Sequence, residues 1–100
     1  MNNIEISNKI ETIEDLDLFL TSCNKTIELI AAQAPSDSLV KMALDYDGEF
    51  FLVHLELISQ QLMIDLEAQA KTPFMALENA QKASLEKVHK WSATRKLQTA

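Results

Sequence analysis

Between residues 40 and 70 the chain alternates apolar and polar positions, and on either side of that stretch the apolar residues recur every three or four positions instead. Alternation puts successive side chains on opposite faces of a strand, whereas a period near 3.6 draws one stripe along a helix. "NIEIS" at Asn3 to Ser7 alternates and predicts a short first strand. "TIED" at Thr12 to Asp15 approximates a capping box, with Asp where Glu or Gln is usual. Behind it Ile13, Leu16, Leu20, Cys23, Ile27, Ile30 and Ala34 form the apolar stripe of a helix that Pro35-Ser36-Asp37 ends.

In "LDYDGEFFLVHLELI" the Asp47-Gly48 pair stands between two alternating runs, the pattern of a two-residue hairpin loop. Counted outward from that turn, Leu44 faces Phe51, Met42 faces Val53 and Val40 faces Leu55 on the buried side. Asp45 with Phe50, Ala43 with Leu52 and Lys41 with His54 then lie on the other. A turn at Ser59 to Gln61 leads into "LMIDLEAQA", a further alternating strand that pairs Leu57 with Ile64, Leu55 with Leu66 and Val53 with Ala68. In "KTPFMALENAQKASLEKV", Thr72 is the N-cap and Pro73 the first residue of a second helix, because the proline ring suits a position that needs no donor. That helix presents Phe74, Leu77, Ala80, Gln81, Ser84 and Val88 on one side, with Leu85 at its edge. The expected fold class is α+β, in the order β-α-β-β-β-α. It makes one four-stranded sheet with both helices on one face, since each helix stripe needs an apolar surface and the sheet offers one.

The 100 residues, 47% hydrophobic and 24% charged, fit a single domain over 1–100, with 92–100 as a basic end that can fray. No run approaches the roughly 20 apolar residues of a membrane span, and the N-terminus lacks a signal-peptide pattern. The lone Cys23 cannot form an internal disulfide, so the expected location is cytoplasmic. The net charge of −6 is unevenly divided: residues 1–70 carry 13 Asp/Glu and 3 Lys/Arg, a net of −10, and residues 71–100 carry 2 and 6, a net of +4. A basic segment on an acidic body is either a solvated helix face or a contact surface for phosphate or an acidic partner.

With these elements placed, "LEAQAKTPFMALENA" and "ISNKIETIEDLDLFL" resemble the strand–proline–helix and strand–capped-helix runs of the ribosome hibernation promoting factors, also described as ribosomal subunit interface or sigma-54 modulation proteins. The resemblance spans nearly the whole chain, and Thr72, Pro73, Phe74, Ala76, Leu77 and Glu78 match in kind. It implies a non-enzymatic, ribosome-associated inhibitor of translation in the stress response, binding the small ribosomal subunit through rRNA with no cofactor, metal or small-molecule substrate. By that resemblance Lys82, Lys87, Lys90, Arg95 and Lys96 are the candidate RNA contacts. Against the family's basic pattern on the second helix, Lys90 matches, while Ala83, Glu86, Trp91 and Ser92 stand where basic or imidazole groups are expected.

The alternative is a protein-binding or homodimerising module that has lost RNA affinity. Its candidate surface is the outer sheet face, where Phe50, Leu52, His54, Ile58 and Met63 are expected among Asp45, Glu56, Asp65 and Glu67. On that face Glu56 opposes Asp65, which a cation near His54 would relieve, although a metal site needs three or four ligands and a solvated histidine fits as well. Cys23 lies on the buried helix stripe with no base at helical spacing, so it reads as a core residue. His89, beside Lys87 and Lys90, is either solvated or part of a nucleic-acid surface. Lys82, Glu86 and Lys90 recur every four residues, so Glu86 can pair with both lysines. Trp91 extends the apolar side of the second helix. With no nucleophile–base pair and a single glycine, neither an enzyme nor a phosphate-cradling loop is expected.

Overall fold

The computed structural model describes residues 3–6 and 15–99, with side chains for Ile4 and for residues 15–94. The class is α+β, with two helices over a sheet whose body is three antiparallel strands. The elements are β1 (Asn3–Ile6), α1 (Leu16–Gln33), β2 (Leu39–Tyr46), β3 (Phe51–Ile58), β4 (Met63–Ala70) and α2 (Pro73–Thr99). β2, β3 and β4 pair antiparallel in chain order, and the short β1 adds to β2 in parallel through Asn3–Lys41 to Ile6–Leu44.

The alternation places the strands as expected. Val40, Met42, Leu44, Val53, Leu55, Leu57 and Ile64 are buried against the helices, and Leu55 and Leu57 are completely enclosed. The β3–β4 register is the one read from the sequence, with Ile58 opposite Met63 and Leu55 opposite Leu66. The β2–β3 register is not. Tyr46 faces Phe51, Leu44 faces Val53 and Met42 faces Leu55, two residues away from the Asp47-Gly48 reading. The loop is four residues long because the Asp47 side chain rebuilds it: Oδ1 accepts the amides of Glu49 at 2.9 Å and Phe50 at 2.7 Å. The Asp47 amide donates to the Phe50 carbonyl at 3.1 Å, and Gly48 takes φ 101°, a region that favours glycine. A slip of two keeps every side chain on its face, so the buried set is unchanged while its partners differ.

α1 begins later than the capping box suggests. Thr12 and Ile13 lie outside the described residues, and the N-cap is Asp15, in the left-handed region at φ 56° with no side-chain cap bond. Its buried side is Phe19, Cys23, Thr26, Ile27 and Ile30, with Leu16, Leu20 and Ala34 half-buried. Phe19, absent from the expected stripe, is therefore its leading core residue. The helix ends at Ala34 (φ −89°, ψ 172°), driven into extended backbone by the following Pro35.

Thr72 caps α2 as expected, its Oγ1 accepting the Met75 amide at 3.2 Å while its carbonyl accepts the Ala76 amide. Ala76, Leu77, Ala80, Ser84 and Val88 are buried, and the small ones among them, Ala76, Ala80 and Ser84, let α2 lie close to β3 and β4. Phe74, expected in the core, is 40% exposed and packs edge-on against Phe19, with ring centroids 5.3 Å apart. Thr26 Oγ1 donates to Gln81 Oε1 at 2.9 Å, and His89 Nε2 donates to Gln33 Oε1 at 2.8 Å. The three contacts advance along both helices together, so α1 and α2 run parallel on the same face of the sheet.

Candidate interaction surfaces

The geometry leaves three surfaces to consider: the outward side of α2, the outer sheet face, and the groove between the helices. α2 carries Lys82, Lys87 and Lys90, all exposed. Lys82 pairs with Glu78 one turn earlier, at 3.5 Å, rather than with Glu86 as the sequence spacing suggested. An acid preceding a base by four residues is the better orientation on a helix, and both groups are largely solvated, so the pair is weak. Lys87 and Lys90 have no ion-pair partner among the described residues, which leaves them available to an anion. The backbone of α2 continues as helix through 92–99; the side chains of Arg95 and Lys96 lie outside those described. His89 is held by Gln33, and Trp91 is half-buried rather than enclosed.

The outer sheet face differs from the expectation in its details, for a single reason. The two-residue shift in register moves Lys41 from His54 to Glu56 and leaves Ala43 opposite His54. Lys41, Glu56 and Asp65 then form one row across three strands, so a cation already stands beside the two carboxylates. His54 reaches diagonally, its Nε2–H donating to Asp65 Oδ1. No group of three or more possible metal ligands occurs among the described residues.

The expected apolar patch is smaller than the sequence implied. Phe50 belongs to the hairpin loop, not to a strand, and like Leu52 and Ile58 it is half-buried. Met63 is the prominent exposed member, at 75%. Leu39 and Ile58 stand beside it in the register, so an apolar row closes one end of an otherwise anionic face. That row was missed because Leu39 lay outside the alternating segment used to count the pairs.

Cys23 is completely enclosed, and burial pushes its thiol up to about 12 from 9.0, so it stays protonated and chemically quiet. No helix of the described residues is long and apolar enough to cross a membrane. The third surface, the groove between α1 and α2, has a volume of about 260 Å³ and is walled by Lys25, Leu29, Phe74 and Glu78, with the Thr26–Gln81 bond within it.

This arrangement recurs in solved structures. The N-terminal domain of Protein Y from Thermus thermophilus superposes with a TM-score of 0.73 at 14% identity, covering 91% of this chain and 99% of that one. The chain has the Protein Y fold. A ribosomal subunit interface protein from Coxiella burnetii superposes at 0.66 with 7% identity, covering 92% of this chain and 97% of that one. No family model and no curated protein matches the sequence. The resemblance read from "LEAQAKTPFMALENA" is thus matched by the three-dimensional fold, while the low identity leaves the surfaces of this chain its own.

Proposed function

We propose that this chain is a non-enzymatic, ribosome-associated factor of the hibernation type. It acts in the cytoplasm under stress, with residues 1–100 working as one unit on the small subunit. The observation that carries the reading is the pairing of fold with charge geography. The chain has the fold of a ribosomal subunit interface protein, and it concentrates its exposed cations on α2 while its outer sheet face is anionic. Lys87 and Lys90 would meet rRNA phosphates first, with Lys82, Arg95 and Lys96 extending the contact. A body at −10 repels RNA, so association requires α2 to face the RNA and the sheet to face away.

The test is co-sedimentation with small subunits over a salt series. Three to five phosphate contacts predict that affinity falls about 20- to 500-fold across a fourfold rise in salt. Lys87→Glu/Lys90→Glu should abolish pelleting at the higher salt. No pelleting by the native chain, or pelleting indifferent to that charge reversal, overturns the reading. The Leu39–Ile58–Met63 row supports a second reading, docking of a protein partner on the outer sheet face. If pelleting survives the lysine reversal but is lost in Met63→Asp, that reading replaces the first.

A further inference from the structure

We propose that a second copy of this chain pairs with the open edge of β4, strand against antiparallel strand about a two-fold axis perpendicular to the sheet. One sheet then runs through both copies with all the helices on the same face. β4 is the last strand in the sheet order, and among the described residues no strand pairs with its outer side. The strand at the opposite edge, β1, has four residues, whereas β4 has eight, in unbroken register and without proline, which is the kind of edge that recruits another strand.

The hydrogen-bond pattern shows what that edge offers. The Ser59 amide donates to the Leu62 carbonyl at 3.0 Å, so Ser59–Leu62 is a bonded pair of the β3–β4 hairpin. Bonded and non-bonded pairs alternate along an antiparallel ladder, which makes Leu57–Ile64, Leu55–Leu66 and Val53–Ala68 bonded. The peptide groups of Asp65, Glu67 and Gln69 therefore point away from β3, toward the open side. The apolar layer is unfinished at the same edge. In the row Met42–Leu55–Leu66 the first two side chains are enclosed and Leu66 is half-buried; in the row Leu44–Val53–Ala68 the same is true of Ala68.

Charge selects the register. Regular two-fold pairing sets one residue of β4 opposite its own copy. Centred on Asp65 or Glu67, a carboxylate faces itself, and centred on Leu66, Asp65 faces Glu67 twice. Centred on Ala68, Asp65 faces Lys71 of the second copy and Glu67 faces Gln69, and the two-fold makes each pair twice. On the inner side Leu66 then meets Ala70, and Ala68 meets Ala68. Centres nearer either end of β4 shorten the overlap. Lys71 is exposed and has no ion-pair partner among the described residues. The two α2 helices come side by side on the inner face. The flank of α2 turned away from α1 carries Ala76, Asn79 and Ala83, small enough for them to lie together.

The experiment is sedimentation equilibrium and light scattering of the full chain over a concentration series, with thermal melts to verify folding. The native chain should dimerise. Lys71→Glu turns two attractive pairs into repulsive ones and should raise the dissociation constant about tenfold, as should Asp65→Lys, while Asp65→Lys/Lys71→Glu should restore it to within about threefold. Gln69→Pro removes an amide that the fold itself does not use and should also weaken association. Ala68→Cys should cross-link to its own copy under mild oxidation, because residues of a non-bonded pair stand about 4.5 Å apart, within disulfide reach. Met63→Asp, outside the overlap, should leave the dimer unchanged. A native chain that stays monomeric at the highest concentration reached overturns the proposal. So does a dimer indifferent to Lys71→Glu, a swap that does not restore association, an Ala68→Cys dimer that does not cross-link, or a dimer broken by Met63→Asp. None of these outcomes depends on whether ribosomes are bound.

Discussion

Ser84 lies in the middle of α2 with no exposed surface, and its hydroxyl has no hydrogen-bond partner. Replacing it with alanine keeps the small side chain that lets α2 approach the sheet and removes the one polar atom at that position. A buried hydroxyl left unpaired costs about 1–3 kcal/mol, and serine is about 0.5 kcal/mol poorer than alanine inside a helix. Against these, the lost dispersion of a single oxygen amounts to a few tenths of a kcal/mol. Ser84→Ala should therefore stabilise the protein by roughly 1.5 kcal/mol, raising the thermal midpoint about 6–12 °C for a chain of this size. The measurement is urea denaturation beside a calorimetric scan, with the slope of the denaturation curve checked for constancy. A neutral or destabilising result would refute the reasoning, because it would mean the hydroxyl finds a partner, such as the carbonyl one turn back.

Asp47→Ala removes the acceptor for two loop amides and should cost about 1–2 kcal/mol in urea denaturation, with no loss of helix by circular dichroism; an unchanged midpoint would show that the loop does not depend on the side chain. Cys23 should react with a thiol reagent only as fast as the chain unfolds, since it is enclosed and its thiol is pushed up to about 12. The raised value also has a sign: stability is full below the unfolded value of 9.0 and declines as pH climbs from there toward 12, by up to about 1.4 kcal/mol per pH unit. Cys23→Ala should remove that component of the alkaline slope, and equal slopes in the two proteins would contradict it.

Much of the fold was legible in the residues because it rests on local chemistry. Alternation from Val40 to Ala70 assigns each side chain to a face, since a strand turns its side chains over at every residue. Thr72-Pro73 and Pro35 mark helix boundaries through a cap and a forbidden conformation, both short-range effects. The basic character of α2 is likewise plain, and with it the candidate contacts at Lys87 and Lys90. What the residues alone did not determine are relations between elements that leave the pattern unaltered. A two-residue slip in the β2–β3 hairpin preserves every face, so only the Asp47 side chain, bonded to two amides in the folded loop, selects the register and moves Lys41 beside Glu56. The pairing of Phe19 with Phe74 and of Thr26 with Gln81 joins residues 55 positions apart. Helical periodicity reports which side of each helix is apolar but carries nothing about which level of α1 lies beside which level of α2. That level is decided when both helices settle on one sheet, and it sets the order of the side chains along the groove.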